Sequence, residues 1–178
     1  GVNFVLMGGQ QNDLVQKAAA IALREFPHIN AAWSAEGIRV FNQVNIGHAV
    51  ARENGLVTAV VRGVDRKTLG QIAKETRDLV TRARAGRLRS RELSAATLTV
   101  TSLGDIGVDG VLPIIYPPQV AIVGVGQIAL RPWVVDGRVV PRSTVTLSLG
   151  ADHRVTDGRA GAQFLADIQA ALQAPEQL

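Results

Sequence analysis

The sequence predicts a mixed α/β domain in which helices and strands do not alternate strictly. Three segments place apolar residues at the 3.6-residue spacing of a helix, and short β-branched runs with the two-residue period of strands lie between them. The chain has 178 residues, which suits one domain with its own core. Because three strand-like runs follow one another without an intervening helix, a doubly wound parallel sheet is not expected.

The N-terminal half begins with a predicted helix over residues 11–26. Its apolar residues recur at helical intervals, Asn12 or Asp13 can cap its start, and Pro27 closes it. Strand-like runs follow at 38–41, 44–51 and 55–64, with Glu53-Asn54-Gly55 as the turn between the second and the third. A second helix is predicted from about Lys67 to Ala85, and Gly86 stops it.

The C-terminal half contains further predicted strands, a hairpin and a closing helix. In order, these are a strand over 96–104 with a glycine-rich exit, an irregular proline-containing segment at 112–119, a buried strand over 120–130, a tight hairpin at Asp136-Gly137, a strand over 143–152 and a helix from about Asp157 to Leu172. Phe164 and Ile168 lie on the inner stripe of that helix.

Composition excludes several classes of protein. The chain has no cysteine, so disulfides, thiolate metal sites and a cysteine nucleophile are excluded, and no metal site is expected. No apolar stretch approaches the roughly 20 residues that span a bilayer, so we expect a soluble, cytoplasmic protein without a membrane partner. The opening "GVNFVLMGGQQ" resembles the end of an element followed by a linker at residues 8–11. We therefore expect the N-terminal part of the domain to be missing.

Six arginines lie close together in "RDLVTRARAGRLRSREL", residues 77–93. Arginines late in a helix suit its negative pole, which favours a solvated helix end. The alternative is a nucleic-acid surface, but no aromatic residue interleaves with these arginines as stacking on bases requires. The solvated surface is the favoured interpretation, and no nucleic-acid partner is expected.

The stretch "LSLGADHRVTDGRAGAQFL", residues 147–165, places His153 between charged neighbours where a predicted strand meets the last helix. A neutral imidazole is well suited to removing a proton from a thiol or an alcohol near neutral pH. Asp157 lies four residues further on, and a helical turn would put both side chains on one face. The residues alone leave an ordinary turn open, with Asp157 capping the helix and His153 satisfied by a carbonyl group.

The pattern Asp-His-Arg-x-x-Asp-Gly resembles the active-site signature of the dihydrolipoamide acyltransferases of 2-oxo acid dehydrogenase complexes. It is also similar to the His-x-x-x-Asp-Gly of chloramphenicol acetyltransferases. Further segments follow the same catalytic core in order and spacing: "LREFPHINAAW", "VNIGHAVARENGLVTAVVRGVDRKTLGQIAKE", "AATLTVTSLGDIGVDGVLPIIYPPQVAIVGVG" and "VVDGRVVPRSTVTLSLGADHRVTDG". The resemblance implies a single acyltransferase catalytic domain over residues 1–178. It also implies a two-layer α+β sandwich of the chloramphenicol acetyltransferase type, with helices on one face of a mixed sheet.

The resemblance also implies a role for each site residue. His153 would be the general base that deprotonates the thiol of coenzyme A or dihydrolipoamide, and Asp157 would hold the loop and bias the imidazole. Thr101, in "TVTSLG", would donate a hydrogen bond to the oxyanion of the tetrahedral intermediate; without the resemblance it is an ordinary strand residue. Three residues would line the coenzyme A channel: Ser102, Gly126 and Ile128.

Acyl transfer between dihydrolipoamide and coenzyme A is the activity that this resemblance implies, with an acetyl or a branched-chain acyl group. Coenzyme A would be a substrate, and the lipoyl group would be carried by a separate or missing domain, since no lipoyl or peripheral-subunit-binding module is present. The expected partners are other copies of the chain, in a trimer that can build a cubic or dodecahedral core, and the decarboxylase and dihydrolipoamide dehydrogenase components. The alternative is a structural core that assembles but has little activity because its N-terminal segment is missing.

Overall fold

The computed structural model describes residues 10–53 and 55–178. Over this part of the chain the helices are α1 (Gln10–Ala22), α2 (Leu69–Arg84) and α3 (Gly158–Gln173). The strands are β1 (Ala31–Ser34), β2 (Gly37–Val40), β3 (Ile46–Arg52), β4 (Gly55–Val61), β5 (Leu98–Ser102), β6 (Ala121–Val125), β7 (Ala129–Val135), β8 (Arg138–Thr144) and β9 (Leu147–Ala151). Gly8 and Gly9 of the predicted linker and Asn54 of the predicted turn lie outside the described residues.

The main sheet has five strands in the order β4-β3-β5-β6-β9. β5 runs parallel to both β3 and β6, whereas β4 and β9 pair antiparallel at the two edges. β1 pairs with β2, and β7 pairs with β8, in two separate antiparallel hairpins. This mixed sheet is the one expected from three consecutive strand-like runs without a helix between them.

The three helices cover one face of the main sheet. Ile46, Leu98 and Val123, which point to this face, form one buried cluster with helix residues such as Ile72 and Phe164. Side chains alternate along a strand, so the residues between them belong to the other face. Beside Val60 and Ile122, that second face carries mostly small residues: Gly47, Ala49, Thr99, Thr101, Gly124 and Ser148. It is referred to below as the open face.

The structure corrects four local predictions. β1 is a strand that the sequence pattern did not predict, and α1 begins at Gln10, so the proposed cap at Asn12 or Asp13 is wrong. Asp13 lies inside the helix with 4% of its surface exposed, and this burial raises the pKa of its carboxyl. The expected strands over 120–130 and 143–152 are each interrupted: the first divides into β6 and β7, and the second into the end of β8 and β9.

Two local predictions are confirmed. α2 begins after Thr68, whose hydroxyl accepts a hydrogen bond from Gln71 N while the Gln71 side chain accepts one from Thr68 N. The helix ends at Ala85 and Gly86, where Gly86 has a φ of 69° that favours glycine. The β7–β8 hairpin turns at Asp136-Gly137, and both residues have positive φ, as a two-residue hairpin turn of this type requires.

In the helices of residues 10–53 and 55–178, no segment combines the length and the apolar character needed to cross a bilayer.

Candidate active site

The segment after β9 forms a tight turn that begins at Asp152. The Asp152 N–H donates to Val120 O at 2.8 Å, which fixes this point of the chain beside the start of β6. The carbonyl oxygen of Asp152 then accepts hydrogen bonds from Val155 N and Thr156 N. His153 lies in this turn with an exposed side chain. The turn therefore presents the imidazole to solvent from a backbone that is held at both ends.

The side chains on either side of His153 bind each other. Arg154 Nη2 donates to Asp152 Oδ2 at 2.6 Å, and Arg154 Nε donates to Asp152 Oδ1 at 2.9 Å. The hydrogen bonds from Arg154 hold the pKa of the Asp152 carboxyl below its ordinary value, and the same interaction raises the pKa of Arg154. The guanidinium carbon of Arg154 also lies 3.5 Å from the centre of the Trp33 ring.

Asp157 caps α3. Its Oδ1 accepts a hydrogen bond from Ala160 N at 2.8 Å. The backbone of Asp157 is extended, as is typical of an N-cap residue. In the described part of the chain no hydrogen bond joins Asp157 to His153. The carboxylate thus orders the start of the helix that follows the turn, and its expected influence on the imidazole stays a prediction.

Thr101 is half-buried on β5, one residue after the fully buried Val100. Because side chains alternate along the strand, its hydroxyl lies on the open face. Its partner on β6 is Gly124, where a Cβ atom would collide with Ser148 Oγ and crowd Val111. The glycine therefore lets the 111–113 segment approach the sheet closely beside Thr101.

Thr101 and the end of β9, the strand that leads to His153, lie far apart in one chain. Thr101 pairs with Gly124 near the end of β6, whereas Ala151, two residues before His153, pairs with Ala121 at its start. With a rise of about 3.3 Å per residue and a strand spacing of about 4.8 Å, the Cα atoms of Thr101 and Ala151 are roughly 14 Å apart. In one chain, Thr101 and the strand end that leads to His153 are therefore well separated.

The three residues expected along a coenzyme channel have different surroundings. The Ser102 hydroxyl is half-buried and accepts a hydrogen bond from Gly104 N at 3.5 Å. Gly126 is buried, and a Cβ atom there would overlap the carbonyl oxygen of Asp109. Ile128 is 39% exposed. Ser102 and Ile128 are thus partly accessible to solvent, whereas Gly126 permits close packing of two loops.

Trp33 belongs to this region although the sequence pattern did not point to it. Trp33 is 37% exposed on β1, a strand that was itself missed, and it lies 121 positions before Arg154. The sequence offered one indication of this strand, a large aromatic residue in a short run between two turn-forming segments. It carried no information about which distant side chain it would contact.

A concave region lies on the open face. It is a cavity of about 570 Å³ whose lining includes Asn45, Thr58 and Gln119. The Gln119 side chain accepts a hydrogen bond from Thr99 Oγ1 at 2.8 Å. Within residues 10–53 and 55–178, no three His, Asp or Glu side chains come together in a way that could hold a metal ion.

The family comparison decides what kind of domain this is. A model of the 2-oxoacid dehydrogenases acyltransferase (catalytic domain) family matches residues 9–178. The chain belongs to this acyltransferase family. Its members include the dihydrolipoyllysine-residue acetyltransferase component of the pyruvate dehydrogenase complex of Rickettsia bellii, which is 38% identical over 164 residues. That alignment covers 92% of this chain and 39% of the relative.

Relatives of this acyltransferase family domain also occur in another complex. The lipoamide acyltransferase component of the branched-chain alpha-keto acid dehydrogenase complex of Pseudomonas aeruginosa is 38% identical over 178 residues. The alignment covers 96% of this chain and 42% of that relative. The chain thus spans about two fifths of the length of the curated relatives described here.

Solved structures confirm the fold class predicted from the sequence. A probable dihydrolipoamide acetyltransferase from Listeria monocytogenes superimposes with a TM-score of 0.88 at 35% identity, covering 91% of this chain and 69% of that one. The cubic core of a pyruvate dehydrogenase multienzyme complex gives a TM-score of 0.85 at 38% identity, covering 90% and 67%. A chloramphenicol acetyltransferase shares the fold alone, with a TM-score of 0.56 at 13% identity, covering 89% and 75%.

Proposed function

We propose that this domain transfers an acyl group between dihydrolipoamide and coenzyme A, as the catalytic core of a 2-oxo acid dehydrogenase complex. The observation that carries the proposal is the His153 turn, which presents an exposed imidazole from a fixed backbone in a chain that matches the acyltransferase family over residues 9–178. Relatives named for acetyl transfer and for branched-chain complexes are both 38% identical to it. An acetyl or a branched-chain acyl group is therefore the proposed cargo.

The proposed reaction is a thioester exchange. His153 accepts the proton of the attacking thiol, and the thiolate sulfur forms a bond to the carbonyl carbon of the acyl thioester. The Thr101 hydroxyl donates a hydrogen bond to the oxygen that becomes negative in the tetrahedral intermediate. The intermediate then expels the second sulfur, which receives the proton from the imidazolium of His153. Atoms and charge balance, and the enzyme returns to its starting state.

We propose that two subunits bring these groups together, with His153 of one subunit acting beside Thr101 of another. The estimated distance of roughly 14 Å between Thr101 and the end of β9 in one chain supports this arrangement. We propose that the subunits form a trimer with a site at each interface, and that trimers assemble into a cubic or dodecahedral core. The likeness to the cubic core of a pyruvate dehydrogenase multienzyme complex, with a TM-score of 0.85, supports such an assembly.

The remaining parts of the proposal concern ligands and partners. Ser102, Gly126 and Ile128 would border the channel for coenzyme A, with Gly126 acting through close loop packing. The lipoyl group would arrive on a separate domain, and the decarboxylase and dihydrolipoamide dehydrogenase components would be further partners. The cytoplasmic location expected from the sequence stays a prediction.

Acyl transfer from acetyl-coenzyme A to free dihydrolipoamide tests the proposal. We expect the wild-type chain to transfer the acetyl group and His153→Ala to lose about 10²–10⁴-fold in kcat, the usual contribution of a general base. His28→Ala is the matched control, because His28 is also exposed and lies outside the turn. Isobutyryl-coenzyme A, tested in parallel, distinguishes the two acyl classes.

Each other outcome has a defined meaning. A His153→Ala variant that keeps more than about a tenth of the wild-type rate contradicts general-base catalysis by this residue. A wild-type chain that assembles without exchanging thioesters favours the alternative, a structural core with little activity.

A further inference from the structure

Arg154 is held by two different groups at once. Its edge binds the Asp152 carboxylate through Nε and Nη2, while its face lies on the Trp33 ring with the guanidinium carbon 3.5 Å from the ring centre. A planar guanidinium can accept both contacts because its hydrogen bonds lie in the plane and the aromatic ring lies above it. The three side chains thus form one stack beside His153.

The ion pair alone would constrain the turn weakly. The Arg154 side chain is 58% exposed, and exposed ion pairs between flexible side chains contribute little to stability. Asp152 and Arg154 also belong to the same turn, so their mutual contact does not tie that turn to the rest of the protein. The Trp33 ring supplies a contact from a different element.

Trp33 is itself fixed to the strand that supports the turn. The backbone N–H of Trp33 donates to Pro118 O at 3.2 Å. The adjacent Ala32 forms an isolated antiparallel bridge with Gln119. The next residue, Val120, is the one whose carbonyl oxygen accepts from Asp152 N. The β1 strand, the start of β6 and the His153 turn are therefore joined in one closed set of contacts.

We propose that Trp33 is a positioning residue for acyl transfer, which fixes the direction of the His153 imidazole by clamping Arg154. Trp33 makes no contact with the reacting groups in this role. The inference rests on the proposed function, since it assigns Trp33 to the reaction that His153 performs. It extends the site to β1, a strand that carries none of the residues assigned above.

Kinetic constants of Trp33 variants test the inference. We expect Trp33→Ala and Trp33→Leu to lower kcat about tenfold while the KM for acetyl-coenzyme A stays within about twofold. Trp33→Phe should keep at least half of the wild-type kcat, because phenylalanine retains an aromatic face for the guanidinium. Val40→Ala is the control, since Val40 is exposed on the same hairpin and lies outside the stack.

A double-mutant cycle isolates the contact. Arg154→Lys keeps the positive charge but loses the planar group, and we expect it to lower kcat about as much as Trp33→Leu. If Trp33 acts through Arg154, the double variant Trp33→Leu/Arg154→Lys should be no slower than the slower single variant, within about twofold. Losses that multiply would overturn the inference.

The remaining outcomes separate the two proposals. Equal kcat values for the leucine and phenylalanine variants would overturn the role of the aromatic face, even if the alanine variant failed to fold. A rise in KM with kcat unchanged would place Trp33 in substrate binding and overturn the positioning role. An inactive wild-type chain would instead contradict the proposed function itself, before any Trp33 variant is compared.

Discussion

The three histidines of this chain occupy different surroundings at the scale of single residues. His48 points from β3 toward the helices, and burial lowers the pKa of its imidazole. His28 is exposed directly after Pro27, in a segment without the paired charges that surround His153. His153 alone of the three combines an exposed ring with a turn fixed by backbone hydrogen bonds and an ion pair. An accessible ring on a fixed backbone is compatible with a general base, which must lie within hydrogen-bond reach of the proton that it removes.

The Thr101 hydroxyl provides a prediction at the same scale. Thr101→Ser should keep most of the activity, whereas Thr101→Val should lose about 10²-fold in kcat and in kcat/KM alike. Valine keeps the β-branched shape that suits β5, so packing changes little while the hydrogen-bond donor disappears. Steady-state acetyl transfer measures both constants. A higher KM with an unchanged kcat would show that Thr101 only lines the channel.

At the scale of elements, the end of α2 is held to the segment that follows it by hydrogen bonds of Arg82. Arg82, near the end of the helix, donates to both carboxylate oxygens of Glu92, at 2.6 Å and 3.0 Å, and to Asp78 Oδ2. The Arg82 hydrogen bonds lower the pKa of Glu92 from 4.5 to about 2. Glu92 also accepts from Arg89 N. Part of the arginine-rich run therefore ties α2 to the turn that leads toward β5.

This network predicts a pH dependence of stability. The pKa of Glu92 is lower in the folded state, so its contribution to the free energy of unfolding is full above its ordinary pKa of 4.5. That contribution declines as the pH falls and is lost near the folded value of about 2. We expect Glu92→Gln to be less stable than the wild type at pH 7, with the difference shrinking between pH 4.5 and 2.

Urea unfolding at several pH values measures this difference. Glu25→Gln serves as the control, because Glu25 is exposed and has no ion-pair partner among the described residues. A destabilisation by Glu92→Gln that stays constant down to pH 2 would show that the carboxylate charge is not what holds the turn.

The interrupted strands follow from contacts between elements that are distant in sequence. The apolar run 120–130 continues without a turn signal, yet β6 stops at Val125 because Gly126 packs under Asp109 and its N–H donates to Thr146 O. The chain then leaves the main sheet as the β7–β8 hairpin. Side-chain periodicity within one run contains no information about this change of partner.

Several large apolar side chains are exposed on the surface of the single subunit. Leu112 and Ile114 are 94% and 88% exposed in the loop before β6, and Leu130 and Val139 are each 71% exposed on the β7–β8 hairpin. Large apolar side chains exposed to this extent are typical of surfaces that contact other proteins. The open face of small residues, with Thr101 on it, adds a further surface that the described residues leave partly uncovered.

We predict that the chain self-associates in threes or multiples of three. The number three is what the family resemblance implies, and the exposed apolar residues and the distance between Thr101 and the end of β9 in one chain are physical reasons for association. Sedimentation velocity measures the assembly, and activity of each fraction shows whether exchange needs it. Leu130→Lys, which places a charge on the hairpin, should weaken association. Ile106→Lys is the comparison variant, because Ile106 is a similarly exposed apolar residue outside the hairpin. A monodisperse monomer that exchanges thioesters would contradict the shared site.

Local sequence determined much of this protein by itself. Short-range features predicted the mixed α/β class and the strand-to-helix turn at His153: the helical spacing of α2 and α3, the glycine after α2, the Asp136-Gly137 turn and the Asp-His-Arg-x-x-Asp-Gly pattern. The two-layer architecture with helices on one face was implied by the family resemblance. These features depend on backbone preferences within a few residues.

Only the tertiary structure decided which distant residues meet. Strand order and register decide three such features: the contact of Trp33 with Arg154, the close packing of Gly126 against Asp109, and the separation of Thr101 from the end of β9. Strand pairing is fixed by contacts across the whole sheet, and the same local pattern is compatible with several orders. The acyl-transfer chemistry and the trimer were implied by the resemblance to a family, whereas the distance of roughly 14 Å between Thr101 and the end of β9 emerged only when the strands were placed side by side.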